Sequence, residues 1–244
     1  VIETHPTTVG YPRPVTPPFR APRHDCPVEL DAHLRRLPPN ATCKGMFFRD
    51  MLALVASKAS AEEIAERAGV PHRRYVPFLD YPMADNLKVT VEIAKVLHPD
   101  VPVGAAIRRI GRTSYSTFLG SQPARVLMAA IGAKDVEKVL LLAPKAYPIV
   151  MNFGRVWAEK VGEHRVHSGC EAFPAFLETY QVGVVEGVFD HFHVEGEVRI
   201  ALTDVANVNA AKVKVKSASG AVTIDVGKGA SREMTIDVDA GSGA

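Results

Sequence analysis

The chain has 244 residues, is 47% hydrophobic and carries 29 Lys and Arg against 27 Asp and Glu. That is enough apolar content for a sizeable core, and too even a charge balance for a general binder of nucleic acid or of an anionic membrane surface. Three cysteines, Cys26, Cys43 and Cys170, are too few and too odd in number for a disulfide framework and point to a reducing, cytoplasmic setting. No uncharged apolar run approaches the ~18 to 20 residues of a membrane helix, because Lys145, Arg155 and Glu186 interrupt the best stretches.

The chain opens at Val1 without a methionine, which leaves open an upstream segment that was removed or omitted. Residues 1–39 hold nine of the 18 prolines. Proline fixes its own backbone angle, lacks a donor and pushes its predecessor towards extended geometry, so this segment is an arm. It is read either as a flexible leader or as an extended strap anchored by Tyr11, Val15 and Phe19. A short helix is expected from Val28 to Leu37, before Pro38-Pro39-Asn40 breaks it. From Gly45 the spacing of Met46, Phe47, Met51, Leu52, Leu54 and Val55 predicts a helix. The next begins with a capping box, Ser60 with Glu63 three residues on, and stops at Gly69. Pro71 and Pro77 make a loop reaching Tyr81. Val89, Val91 and Ile93 alternate as a strand would, yet Pro82 at the start and the run to His98 have the length of a helix, which is the reading adopted.

Pro102 to Leu119 is the central stretch. Ala106, Ile107, Ile110, Ser114, Tyr115 and Phe118 fall on one helical face, with Arg108, Arg109 and Arg112 on the other. Two further helices are predicted, Gln122 to Ile131, and Asp135 to Leu142 ended by Pro144. Arg155–Val161 and Arg165–Gly169 read as strands about Gly162-Glu163, and Phe173, Phe176, Leu177, Tyr180 and Val184 trace another helical face. Val198, Ile200 and Leu202, then Val213 and Val215, alternate as half-buried antiparallel strands, and Lys212, Lys214 and Lys216 form a solvated face. Thr223–Val226 recurs as Thr235–Val238 and is read as a hairpin. The expectation is an α+β protein with a helical N-terminal half packed on a C-terminal antiparallel sheet. It divides into an arm (1–39), a ligand-binding-like domain (40–216) and a hairpin extension (217–244).

The strong catalytic motifs are absent: there is no glycine-rich phosphate loop, no GxSxG elbow and no HExxH pair. Without a positioned base, Ser114, Ser116 and Ser121 read as helix-surface or capping residues, and no enzyme is expected. Asp225 and Asp237 lack the glycine-spaced loop of a calcium site and read as charged strand faces. His164, His167 and Cys170, and His191 with His193, have spacings that suit zinc. With no paired cysteines, surface or hydrogen-bonded histidines are the preferred reading, and no metal is expected.

Cys43-Lys44-Gly45-Met46-Phe47-Phe48, Ile110-Gly111-Arg112 with Phe118 and Gly120, Ala143-Pro144-Lys145-Ala146-Tyr147 with Asn152 and Gly154, and Gly183 to Gly187 together resemble an uncharacterised paralogous family abundant in myxobacteria. That family is distantly similar to vinyl-reductase-like small-molecule-binding domains and to haem nitric-oxide-binding domains. The resemblance spans about Pro38 to Lys216 and implies a self-associating, sensor-like α+β domain with a pocket between helices and sheet. The haem-binding relatives need Tyr-x-Ser-x-Arg, and the match here, Tyr115, Thr117 and Leu119, loses the arginine, so haem is not carried over and no cofactor is expected. Tyr115, Phe118, Tyr147, Phe153 and Trp157 are either core or, with Arg112, the lining of a site for a small amphipathic or anionic ligand. Two functions stay open: a non-catalytic sensing or regulatory module that self-associates, and an assembly protein whose arm and hairpin dock onto neighbouring subunits.

Overall fold

The computed structural model describes residues 20–23, 26–120, 135–163 and 165–200. The arm anchors Tyr11, Val15 and Phe19, the predicted helix Gln122 to Ile131, His164, and the strands and hairpin after Ile200 lie outside them. Among the described residues the first half is helical and strands follow it, giving an α+β protein.

α1 (Leu30–Arg36) leads into a short strand, β1 (Thr42–Lys44), and α2 (Gly45–Val55). α3 (Ala61–Ala68) starts at the predicted capping box: the Ser60 side chain accepts from the Glu63 N–H while the Glu63 carboxylate accepts from the Ser60 N–H. It ends where Gly69 takes φ 61°, a left-handed conformation that glycine adopts without a Cβ penalty. β2 (Asp80–Pro82) pairs antiparallel with β1, placing Cys43 opposite Tyr81. α4 (Met83–Leu97) settles the ambiguous stretch as helix, with Val89, Val91 and Ile93 all buried because more than one face of α4 is covered. α5 (Val103–Gly120) is the central helix.

α6 (Val136–Val150) corrects an expectation. Asp135 caps it through the Lys138 N–H as its spacing suggests, but the helix runs through Pro144 and on past Pro148. Both prolines delete an intrahelical hydrogen bond. The turn survives because the residues flanking it are held: Leu140 is buried in one apolar cluster and Tyr147 packs against the other. β3 (Arg155–Gly162) and β4 (Arg165–Glu171) form the expected antiparallel pair, with Trp157 opposite Gly169. Phe173 and Phe176 were expected on a helix face; instead they precede it, with Phe176 at φ 50°. A one-turn π-helix, Leu177–Gln181, then feeds α7 (Val182–Phe192).

Two apolar clusters result. One joins α2 to α5, including Phe48, Ile64, Leu87 and Ile107, and extends to Phe173 and Phe176. The other gathers Leu140, Val166, Val182, Val185, Phe189 and Ile200 around Tyr115. α5 serves both: Ala106, Ile107 and Ile110 lie in the first and Tyr115 in the second.

What joins the clusters is a seam between α5 and α7. Arg108 grips Glu186 through both Nε (3.0 Å) and Nη2, and Arg112 grips Asp190 through Nε (2.5 Å) and Nη2 (2.6 Å). Both pairs are 78 residues apart in sequence, so the two helices run parallel. Of the three arginines expected to face away from the core, Arg108 and Arg112 thus lie along α7. Beneath them the backbones touch: a Cβ at Gly183 would collide with the Arg108 carbonyl, one at Gly187 with the Arg112 carbonyl, and one at Gly111 with the Tyr180 carbonyl. Backbone cannot yield as a side chain tip can, so Gly183→Ala is expected to lower the unfolding free energy by about 1–3 kcal/mol or more in urea titrations. A neutral result would show that the helices stand further apart.

Candidate functional site

Where the two clusters meet they leave a cavity of about 190 Å³. α2 contributes Phe47, Asp50 and Met51, and α5 contributes Ser114, Tyr115 and Phe118. The apolar stripe of α6 forms a wall, and β3 and β4 add Val156, Ser168 and Cys170. Tyr180 and Gln181 of the π-turn and Val184, Val185 and Val188 of α7 complete the lining.

Most of the polar groups here are already engaged. Tyr147 Oη donates to Gln181 Oε1 (2.5 Å), Ser114 Oγ to the Ile110 carbonyl (2.7 Å) and Ser168 Oγ to the Trp157 carbonyl (3.1 Å). The Tyr115 hydroxyl is buried without a hydrogen-bond partner. Burial pushes Tyr115 up to about 12 and the Cys170 thiol up to about 12. Tyr180 also rises to about 12, chiefly by burial, with the Ser114 hydrogen bond opposing and the Asp50 charge adding. All three stay neutral at physiological pH. Among the described residues no Lys, Arg or His lies in the lining and Asp50 is its one carboxylate; burial raises its pKa above the ordinary value while neighbouring Arg49 pulls it back.

Of the six residues singled out from sequence, Tyr115, Phe118 and Tyr147 line the cavity. Phe153 sits behind it, stacked on Phe173 (ring centroids 5.3 Å), which Tyr147 meets edge-on at 5.6 Å. Trp157 lies over Gly169 on the neighbouring strand, where a side chain would strike the indole. Arg112 is outside the lining, half-exposed and paired with Asp190. Asp50, Cys170, Tyr180 and Gln181 were not singled out as pocket residues. For Asp50 a signal existed, since Phe47, Asp50 and Met51 fall at i, i+3 and i+4 and put a carboxylate on an apolar helix face. The histidines do not gather. His191 and His193 end α7, where His191 meets Tyr115 and Phe192 edge-on, and among the described residues no group of three or more His, Cys, Asp or Glu is placed to hold a metal.

The π-turn also faces the arm. Glu178, 5% exposed, accepts from Arg20 Nη1 (2.5 Å), the Arg23 N–H (3.1 Å), Arg23 Nε (3.3 Å) and the Cys26 thiol (3.4 Å). Burial alone would raise its pKa, but the bonds from Arg20 and Arg23 outweigh that and hold it below the usual value. Arg20 also exchanges two backbone hydrogen bonds with Ile200 (2.9 and 2.8 Å). One turn of chain therefore touches the cavity on one side and Arg20, Arg23 and Cys26 on the other.

Among the described residues this lining has no imidazole for a haem iron and no cation for its propionates, and 190 Å³ lies between the ~150 Å³ that admits benzene and the ~300 Å³ at which drug-sized sites begin. Among the described residues the site does not fit haem.

Residues 36–210 match the model of a family described as "Protein of unknown function (DUF2378)". No curated protein matches the chain. In fold it is similar to H-NOX proteins, the haem nitric-oxide-binding domains of the sequence resemblance. The H-NOX protein from S. oneidensis in its Fe(II)NO state aligns at TM-score 0.56 and 11% identity over 76% of this chain and 99% of that one. Unliganded Fe(II) H-NOX from K. algicida aligns at 0.54 and 16% over 82% and 99%. A mutant H-NOX from T. tengcongensis aligns at 0.54 and 14% over 80% and 97%. These likenesses establish the fold.

Arg112 and Glu178 should separate in urea unfolding. Arg112→Ala breaks a half-exposed pair and is expected to cost about 0.2–1 kcal/mol. Glu178→Gln removes a buried charge that five donors from Arg20, Arg23 and Cys26 converge on, and is expected to cost about 1–3 kcal/mol. Because the folded pKa of Glu178 is depressed, its contribution is complete above its unfolded value and is lost as pH falls through the lower folded value. The two variants' losses should therefore converge in acid; equal losses at neutral pH would contradict the strap's dependence on Glu178.

Proposed function

The chain belongs to the DUF2378 family, and from that premise we propose that it is a non-catalytic module that senses a small molecule held, without haem, between α5, α6, α7 and the β3–β4 pair. The observation that carries this is the cavity itself, an apolar space left where two well-packed clusters meet. Close packing is the norm in protein interiors, so a space of this size must be filled by something or leave its lining short of contacts. The lining also favours binding over chemistry: its serines are committed to backbone carbonyls, its thiol is neutral and it holds no imidazole base. We keep the arm, ligand-binding domain and hairpin as the proposed division of the chain.

Sensing requires an element that feels occupancy and changes something elsewhere. The π-turn meets that description, because Tyr180 and Gln181 touch the cavity while Glu178 holds Arg20, Arg23 and Cys26. π-turns are locally less regular than α-helix, and Phe176 at positive φ makes the entry to this one a strained conformation held by burial. A ligand that prefers one arrangement of Tyr180 shifts the strap by the difference in its affinity for the two arrangements. The second reading, assembly, is favoured by the exposed apolar run Val76, Phe78 and Leu79 beside β2, which suits contact with another chain.

Toluene is the simplest probe. Buffer saturated with toluene is expected to raise the melting temperature of the protein by a few degrees, at a scale of roughly 4–8 °C per kcal/mol for small domains and less for larger ones. Ala146→Trp, which fills the cavity, should abolish the shift, and added hemin should give no Soret band. Hydrogen exchange of residues 20–26 should change when toluene binds. No toluene shift, or the same shift in the filled variant, overturns the reading.

A further inference from the structure

The cavity's charge is one-sided. Among the described residues its lining has a single carboxylate, Asp50, and no Lys, Arg or His. Asp50 is half-buried; Arg49, exposed and adjacent along α2, partly offsets the cost of that burial from outside the lining, and the Asp50 charge is felt by the Tyr180 hydroxyl. Three other carboxylates have close partners: Glu178 has Arg20 and Arg23, Glu186 has Arg108 and Asp190 has Arg112. A carboxylate drawn partly out of water costs free energy unless a cation or donors compensate it, and among the described lining residues none brings Asp50 a cation.

The same lining carries the rings of Phe47, Tyr115, Phe118, Tyr147 and Tyr180. Aromatic faces carry negative potential and attract cations, and the rest of the wall is aliphatic. An anion would meet repulsion from Asp50 with nothing to answer it. A neutral hydrocarbon would fill the space but leave Asp50 unpaired. A small molecule with an apolar body and one ammonium group satisfies both demands, burying its body among the aliphatic residues of α6 and α7 and placing its charge between Asp50 and the rings. Resting on the cavity reading above, we propose that the ligand of this cavity is a small hydrophobic amine, bound as the ammonium ion with Asp50 as its counter-ion.

Three probes of one shape test this by calorimetric titration of the full chain: phenethylamine, phenethyl alcohol and phenylacetate. Phenethylamine is expected to bind roughly 10- to 100-fold more tightly than phenethyl alcohol, the range for a hydrogen bond to a charged group, and phenylacetate not measurably. In Asp50→Asn the amine should fall to the affinity of the alcohol while the alcohol is unchanged, which also shows that the variant is folded. In Ala146→Trp both should be lost. If Asp50→Asn leaves the amine's advantage intact, or if the alcohol binds as well as the amine to the unaltered protein, the amine proposal is wrong and the cavity reading stands. If none of the three binds and toluene gives no shift either, the cavity reading falls and the amine proposal with it. Loss of alcohol binding in Asp50→Asn would also overturn the proposal, since Asp50 would then be holding the cavity open rather than pairing with a charge.

Discussion

The backbone contact between α5 and α7 is the constraint on which the rest of the architecture hangs. Three glycines, Gly111, Gly183 and Gly187, let the two helices approach until peptide groups meet, and the two arginine–carboxylate pairs close over that contact from the solvent side. Ion pairs alone would not hold helices at this distance: the half-exposed Arg112–Asp190 pair contributes about 0.2–1 kcal/mol, and the largely buried Arg108–Glu186 pair gives back much of its attraction in desolvation, with Arg108 Nη1 left unpartnered. Their value lies in register. With both pairs at the same sequence offset, a slip of one turn would place Arg108 against Asp190 and leave Arg112 and Glu186 without their partners.

That contact has consequences on either side of it. Above it, Tyr115 follows α5 out of the first cluster and into the second, so the two cores share a helix but not a continuous filling. The cavity is what remains between them. Below it, the chain reaches α7 through a π-turn, and the extra residue of a π-turn redirects consecutive side chains. Glu178 therefore turns to the arm while Tyr180 and Gln181 turn to the cavity, within five residues. An α-helix entering directly from β4 would have spread these groups around a regular cylinder.

The comparison with H-NOX proteins shows how one fold accommodates different interiors. The chain shares their architecture over most of its length at 10% to 17% identity, yet among its described residues the lining lacks both an imidazole and a cation. Backbone topology depends on where apolar faces fall, which many sequences satisfy. A prosthetic group depends on a few particular side chains, and these can change without disturbing the cores.

The elements governed by local chemistry were legible in the sequence. The capping box at Ser60 and Glu63 with its Gly69 stop, the Asp135 cap, the turn between β3 and β4 and the apolar face of α5 all rest on interactions within a few residues, so spacing alone reveals them. Part of the site was legible for the same reason: Tyr115, Phe118 and Tyr147 are aromatic residues on helical faces beside the central stretch. Only the tertiary structure decided the remainder. Whether α6 crosses Pro144 depended on the packing of Leu140 and Tyr147 on either side of it, which local rules do not contain. Arg112 reads as a cation near a pocket until Asp190, 78 residues away, is seen to hold it on the surface. Asp50, at helical spacing from Phe47 and Met51, becomes a pocket residue only when the fold gives it a lining that, among the described residues, holds no cation. Pairing and desolvation depend on distance in space, and a sequence records distance along the chain.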